Sequence, residues 1–239
     1  VGRHAWAAFG GEQPLQGGYE LRDEKLQRGT LSTTGERCST LSTTPASSEC
    51  SRRIHVLWGQ QELNVTPRLK LTAGVRHDDY SDFGSEWSPK ADVVFTLAKE
   101  HRLRGSYGQG FRPPYFGELY LSQPPFFVGN PDLEPETSEG YTAGWVWAGE
   151  RAQVSVDGYY TDLRNGIIFY QLSPTRFTYR NVDRYTSKGV NAAATVALPW
   201  GLTPSAAYSY NERKDPEGAE VGGYPNHSGF LKLLWANPR

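Results

Sequence analysis

Apolar and polar residues alternate along most of the chain. Between residues 69 and 76 the odd positions are apolar and the even positions are polar, charged or glycine, and the same period of two recurs from Trp87 to Leu97. This period is typical of a β-strand whose two faces meet different surroundings. Eleven such segments are predicted, near residues 1–9, 15–27, 53–65, 67–79, 85–98, 101–110, 138–148, 151–162, 186–198, 201–211 and 226–236.

The connections between these segments alternate between short and long. Short turns are predicted at "GGEQP", "NVTP", "AKEH", "WAGER" and "LPWGL", and longer polar loops at about residues 28–52, 79–85, 111–137, 163–185 and 211–225. Short turns on one side and long loops on the other are typical of bacterial membrane barrels. The pattern therefore predicts an all-β fold, a transmembrane antiparallel β-barrel. A soluble propeller or solenoid would also alternate, but it does not explain the loop asymmetry or the aromatic residues near the strand ends.

Composition narrows the class of protein further. The 239 residues have a mean hydropathy of −0.60, which excludes a helical membrane span but not a barrel. The net charge is −1, and no basic cluster with interleaved aromatics is present, so nucleic acid is not an expected partner. The sequence contains no recognisable nucleophile and base arrangement, which predicts that the protein is not an enzyme and needs no cofactor. Because the sequence lacks Met even at position 1, we expect a piece of a longer chain.

The segment 110–141, "GFRPPYFGELYLSQPPFFVGNPDLEPETSEGY", is the longest loop rich in aromatics. Its prolines fix φ and remove donors, which predicts a stiff extended excursion at the mouth of the barrel. Aromatic rings held there could bind a flat organic ligand, although packing against neighbouring loops is the alternative for each ring. Glu136 is interpreted as structural and not as an acid catalyst. The ligand-binding candidates are Tyr115, Phe116, Tyr120, Phe126 and Phe127.

Two further groups of residues are candidates for a disulfide and for a metal site. Cys38 and Cys50 flank a short Ser/Thr-rich stretch, where a disulfide would contribute about 3 kcal/mol; two free thiols are the alternative. Asp78, Asp79 and Asp82 could gather oxygen ligands for calcium, but a solvated acidic loop beside Arg76 is the simpler interpretation. No histidine spacing suits zinc, so no other metal is expected.

Four ordered motifs resemble the barrel of a TonB-dependent outer-membrane receptor, over about residues 15–236. They are a strand ending in G-x-R-x-D, a strand opening with S-P-K, an F-R-x-P-x-x-x-E-L-Y segment and a G-N-P-x-L-x-P-E-x-S segment. A later hairpin is also similar, although Asn191 stands where the family usually has glutamate. The matching residues are Gly74, Arg76, Asp78, Ser88, Pro89, Lys90, Phe111, Arg112, Pro114, Glu118, Leu119, Tyr120, Gly129, Asn130, Pro131, Leu133, Pro135, Glu136 and Ser138.

The resemblance implies about half of a 22-stranded barrel in the bacterial outer membrane, in contact with its lipid. Residues 1–239 would be a partial barrel domain that lacks the plug and both barrel ends. It implies import of a scarce ligand such as a ferric siderophore, cobalamin or haem, driven by the TonB complex through the missing plug. A passive pore or an adhesin is the alternative. Charged residues on the polar face would then contact the plug, namely Lys70, Arg76, Lys90, Arg102 and Arg104.

Overall fold

The computed structural model describes residues 2–8, 11–28, 38–43, 46–123, 126–220 and 225–236. Strands dominate this part of the chain, with one short α-helix, α1 (Phe116–Tyr120), and one 3₁₀ turn at Pro199–Gly201. Among the described residues, no helix has the length and apolarity needed to cross a membrane. The strands are β1 (Gly2–Ala8), β2 (Gly11–Arg28), β3 (Cys38–Thr43), β4 (Ala46–Thr66), β5 (Leu69–Tyr80), β6 (Gly84–Ala98), β7 (His101–Arg112), β8 (Ser122–Gln123), β9 (Phe127–Val128), β10 (Glu136–Ala148), β11 (Ala152–Ser173), β12 (Arg176–Val196), β13 (Leu202–Lys214) and β14 (His227–Trp235).

Eleven strands form one continuous antiparallel path. The order is β1-β2-β4-β5-β6-β7-β10-β11-β12-β13-β14, so each strand pairs with the next long strand in the sequence. The short strands β3, β8 and β9 lie off this path, at the end where the long connections are. The eleven segments predicted from alternation are these eleven strands, which confirms the predicted antiparallel all-β fold.

The two faces of the sheet differ as the alternation predicts. Strand register places Leu71, Ala91 and Tyr141 on one face, whereas Thr72, Asp92 and Thr142 lie on the other. The first face is the apolar outer face, and the second is the polar inner face, which we call the lumen face. Because each strand keeps this alternation across the sheet, a slip of one residue would exchange the faces.

An ion pair on the lumen face spans three strands. Arg104 on β7 donates from Nε to Oδ1 of Asp157 on β11 over 2.7 Å, and a second guanidinium nitrogen contacts the other oxygen. The strand between them, β10, contributes Gly144, which is the register partner of both residues. A Cβ at Gly144 would overlap the Asp157 carboxylate. Glycine therefore leaves the space through which the two side chains meet.

Several predicted long loops are instead strand or tight turn. The predicted loop 163–185 is wrong, because β11 and β12 continue as a paired hairpin with a turn only at residues 174–175. The predicted loop 79–85 is a turn at residues 81–83 between β5 and β6. Within the predicted loop 28–52, β3 and the start of β4 form a further hairpin. Where described, the short turns at the opposite end lie as predicted, at residues 67–68, 99–100 and 149–151.

We predict that Gly144→Ala in the protein that carries this chain destabilises the sheet by about 1–3 kcal/mol, because the new Cβ separates Arg104 from Asp157. The measurement is the midpoint of thermal unfolding in detergent micelles. Gly108→Ala is the matched control, since a Cβ there meets no atom within 4 Å on the same face. Equal midpoints for the two variants would contradict the assigned role of Gly144.

Candidate functional site

The loop between β7 and β10 is folded and is not the predicted extended excursion. Pro113 and Pro114 lead directly into α1, whose first turn is held because Glu118 accepts a hydrogen bond from the Tyr115 backbone N–H at 2.8 Å. The backbone N–H of Glu118 in turn donates to the Tyr115 carbonyl at 2.9 Å. The prolines lie just before the extended N-cap residue Tyr115, outside the helix, so their missing N–H groups remove no helical hydrogen bond.

A small apolar core lies beneath this loop. Leu119, Tyr120 and Leu133 are buried together with Cys50, and Ile167 from β11 packs against them. Tyr120 is only 3% exposed. The prediction that Tyr120 presents its ring to a ligand is therefore wrong, because the helix directs this ring into the core of the loop.

Arg112 joins the beginning, middle and end of the loop. Its Nη1 contacts the Glu118 carboxylate at 3.1 Å, and its Nε donates to Glu136 at 2.7 Å. The second oxygen of Glu136 accepts the backbone N–H of Ile167 on β11 at 2.6 Å. We call Arg112, Glu118 and Glu136 the carboxylate clamp. It explains three of the matched motif positions, and it assigns Glu136 the structural role that was predicted.

The charges of the clamp reinforce one another. Burial by itself raises the pKa of Glu136, but hydrogen bonds from Arg112 and the Ile167 backbone outweigh burial and hold that pKa below its usual range. The hydrogen bond to Glu136 likewise raises the pKa of Arg112. A carboxyl group with a lowered folded-state pKa stabilises the fold above its unfolded pKa, and this stability is lost as the pH falls through the folded pKa. The clamp is therefore intact at neutral pH and opens in acid.

A second arginine, on the lumen face of β4, also holds the loop. Arg52 on β4 is buried, donates to the Pro114 carbonyl at 2.9 Å and stacks on the Phe116 ring with 4.3 Å from guanidinium carbon to ring centroid. Its Nε lies 3.5 Å from Asp82, in the turn between β5 and β6. Phe116 is thus half-buried under a cation and serves loop packing in this arrangement.

The remaining candidates divide into packed and exposed rings. Phe127 on β9 pairs with Phe177 through the backbone, and its ring lies 5.4 Å from that of Tyr179, centroid to centroid. Tyr115 and Phe126 are 64% and 61% exposed. Of the five predicted ligand-binding residues, these two present free aromatic surface, and the exposed Phe169 on β11 adds a third ring to the same loop region.

The acidic group near Arg76 does not form a calcium site in the described residues. Asp78 is buried and accepts two hydrogen bonds from Arg76 at 2.6 Å, whereas Asp82 lies beside Arg52. No three His, Cys, Asp or Glu side chains converge as metal ligands within the described ranges. The simpler interpretation, that Arg76 is countered by acid, holds for Asp78, but neither Asp78 nor Asp82 is solvated as predicted.

The cysteines lie at paired positions. Cys38 on β3 is the register partner of Cys50 on β4, and Cys50 is buried. A disulfide between them would close the hairpin that packs Cys50 against the loop core. This pairing stays a prediction.

The polar face carries its own counter-ions. Lys70 lies 2.6 Å from Glu62, and Arg76 and Arg104 pair with Asp78 and Asp157. These acids within the wall neutralise three of the five cations that were predicted to contact a plug. The plug contact stays a prediction for all five residues, and for Lys90 and Arg102 no ion pair occurs among the described side chains.

Two functional residues escaped the sequence analysis. Arg52 is followed directly by Arg53, and adjacent strand residues must face opposite sides, so one of the pair had to point inward. Asn181 accepts the Glu134 backbone N–H at 2.9 Å and donates to the carbonyls of Glu134 and Asn165. A single asparagine in a predicted polar loop carries no comparable signal.

The continuous antiparallel path, the apolar outer face and the folded connections at one end define the wall of an outer-membrane β-barrel. The chain belongs to the family described as "TonB dependent receptor-like, beta-barrel", whose sequence model matches residues 2–238. The predicted family, the transmembrane barrel fold and the location in the bacterial outer membrane are therefore confirmed.

Individual relatives are more distant. The chain is 24% identical to the iron-regulated outer membrane virulence protein of Vibrio cholerae serotype O1, over 94% of this chain and 36% of that protein. Its fold is similar to that of the siderophore receptor PirA from Acinetobacter baumannii, with 17% identity, a TM-score of 0.79 and coverage of 98% of this chain and 39% of that one. The ferric enterobactin receptor PfeA from Pseudomonas aeruginosa, in complex with enterobactin, gives 22% identity, a TM-score of 0.77 and coverage of 94% and 37%.

A copper transporter, OprC, has a similar fold as well, with 16% identity, a TM-score of 0.75 and coverage of 98% of this chain and 40% of that one. At these identities the likeness to solved structures shows the fold alone. The chain spans little more than a third of the length of the curated relatives it matches.

We predict that Glu136→Gln opens the loop, because the amide loses the charge that holds Arg112. Limited chymotrypsin digestion of the protein in detergent micelles should cut after Phe116, which is half-buried in the closed loop, at least about fivefold faster than in the unaltered protein, with the barrel itself intact. Glu217→Gln, in the exposed β13–β14 connection, is the matched control. An unchanged rate of cleavage after Phe116 would show that the clamp does not hold the loop.

The clamp should also respond to pH. Hydrogen exchange of the backbone in residues 113–123, corrected for intrinsic rates, should rise as the pH falls below 4.5, the ordinary carboxyl value, because Glu136 then takes up a proton. The Glu136→Gln variant should show this fast exchange already at neutral pH. A wild-type loop that stays protected in acid would contradict the pKa direction.

The Cys38–Cys50 bond is tested by peptide mapping without reductant. We expect one linked peptide that contains both cysteines and separates on reduction. Alkylation of both thiols before reduction would overturn the pairing.

Proposed function

We propose that this chain forms part of the wall and mouth of a receptor that imports a scarce ligand across the outer membrane. Membership of the TonB-dependent receptor-like barrel family carries the proposal. The folded loop supports it, since the carboxylate clamp and Arg52 hold exposed rings in place at the mouth. Prearranged aromatic surface binds a flat ligand at low entropic cost.

A ferric siderophore is the ligand class that we favour over cobalamin and haem. Receptors with a similar fold are named as siderophore receptors, and one is in complex with enterobactin. Arg180 stacks on Tyr170, with 3.8 Å from guanidinium carbon to ring centroid, so a cation and an aromatic ring lie together on one face of the hairpin, opposite the face that carries the exposed Phe169. Such a surface suits an anionic ligand with aromatic groups.

Energy for import would come from the TonB complex, acting through a plug domain in the part of the protein outside this chain. The residues described here bind and orient the ligand at the entrance; no bond is made or broken by them, in keeping with the receptor and transporter names of the relatives. We also propose that residues 1–239 form one partial barrel domain.

The test is uptake by a deletion strain that carries the receptor. Growth on ferric siderophores, haem or cobalamin as sole source identifies the ligand, and we expect Tyr115→Ala combined with Phe126→Ala to reduce uptake at least about tenfold. Leu172→Ala, an exposed apolar position at the hairpin tip, is the matched control and should transport normally.

The alternatives give different results in the same assay. A passive pore would admit the ligand in a strain without TonB, and an adhesin would bind cells or matrix without any uptake. Uptake of none of the three ligand classes would overturn the import proposal.

A further inference from the structure

Four cations lie on the outer face of β11, β12 and β13, in three adjacent rows of outer-facing positions. Asp162 holds Arg184 at 2.7 Å and Arg164 at 3.2 Å, and Glu212 holds Lys214 at 2.6 Å and Lys188 at 3.0 Å. The two groups are neighbours, since Thr186 on β12 is the register partner of both Asp162 and Lys214. We call these four cations and two carboxylates the rim cluster.

The rim cluster lies where the lipid-facing surface ends. On the outer face of β11 the side chains from Ala152 to Tyr160 carry no charge, and Asp162 is the first charged one, ten residues after the strand begins. Tilted strands of about 9–11 residues cross the hydrocarbon of a membrane. On β13 the uncharged outer positions run from Leu202 to Tyr210, and Glu212 follows. The cluster therefore lies at the boundary of the extracellular leaflet.

The cations cover the carboxylates. The side chains of Arg164, Arg184, Lys188 and Lys214 are 58%, 51%, 61% and 40% exposed, whereas those of Asp162 and Glu212 are 5% and 16% exposed. An approaching group meets positive charge first, and each group of three retains a net charge of +1. Glu139, the register partner of Asp162, accepts a hydrogen bond from the Tyr141 hydroxyl, and the backbone of Glu220 pairs with that of Lys214 at the upper edge.

Tyrosines below the cluster complete an interfacial surface. Tyr208 and Tyr210 lie on the same outer face beneath the cations, and Tyr160 lies beside Lys188 as its register partner. Tyr208 hydrogen-bonds His227 at 2.7 Å. Amphipathic rings of this kind occur at the headgroup level of membranes. Above them, guanidinium groups match the geometry of phosphate oxygens, and ammonium groups bind phosphate as point charges.

We propose that the rim cluster binds the phosphate groups of phosphorylated lipid in the outer leaflet. The acyl chains would lie against the apolar outer face, whose residues include Val156, Ala192, Ala194, Ala206 and Leu231. The carboxylates of Asp162 and Glu212 orient the cations and do not contact the lipid. This site lies on the outside of the wall and is independent of the imported ligand.

The test is native mass spectrometry of the receptor, released from non-ionic detergent and titrated with bisphosphorylated lipid A. Arg184→Gln combined with Lys188→Gln should weaken binding about tenfold or more, because two phosphate contacts are lost. Lys99→Gln combined with Arg151→Gln removes two cations at the opposite end of the sheet and is the matched control, expected to bind like the unaltered receptor.

Two further arms keep the result interpretable. The charge-preserving pair Arg184→Lys and Lys188→Arg keeps both positive charges and should bind the lipid at least about fivefold more tightly than the Gln pair, which separates loss of charge from misfolding. Lipid A without its phosphates should bind the unaltered receptor as weakly as phosphorylated lipid binds the Gln pair. Equal binding of both lipids, an equal loss in the control pair, or displacement of the lipid by millimolar inorganic phosphate would overturn the proposal.

Discussion

Backbone hydrogen bonding in hydrocarbon is the constraint on which the whole structure depends. No water is present there to satisfy an exposed N–H or C=O, so each strand must pair with neighbours along its length. The eleven-stranded path meets this demand by pairing each long strand with the next one in the sequence. Alternation of side chains then assigns one face to lipid and the other to the lumen. Irregular backbone collects at the ends of the strands, where water is available.

On the lumen face, ion pairs and hydrogen bonds hold neighbouring strands together, as apolar packing does in the core of a soluble protein. The lumen face is polar, and its stability rests on side chains that reach across strands, as Arg104 reaches Asp157 over Gly144. At the mouth, Arg52 and Arg112 each connect several chain segments through buried or half-buried contacts. Removing one partner of such a contact leaves a desolvated charge without compensation, which is more costly than losing an exposed ion pair.

The sequence pattern predicted the membrane-crossing strands because each of them has two environments, and alternation records both. The pattern failed outside the membrane, where a strand does not need one apolar and one polar face. Ile167, Ile168, Phe169 and Tyr170 are consecutive apolar residues in the hairpin beyond the membrane, where both faces meet protein or water, and the period of two is lost. Alternation therefore missed this extension of β11.

Local signals were equally insufficient at the mouth. The helix α1 has five residues, too few to show a period, and its start depends on Glu118, whose partner Arg112 lies six positions earlier. Aromatic content located the mouth, but burial decides which rings are free. Tyr120 and Tyr115 look alike in sequence, and they differ because one points into the core of the loop and the other away from it.

The carboxylate clamp has a consequence for how such receptors can diverge. Its three residues, together with Leu119 and Leu133, maintain the shape of the loop, whereas the rings of Tyr115 and Phe126 are largely exposed, and the Tyr115 ring lies 5.1 Å from the guanidinium carbon of Arg112. Under the proposed import function, selection for a new ligand can alter the exposed positions one at a time while the buried residues keep the loop folded. In such a loop, the buried residues that keep the fold and the exposed residues that would contact a ligand can change independently.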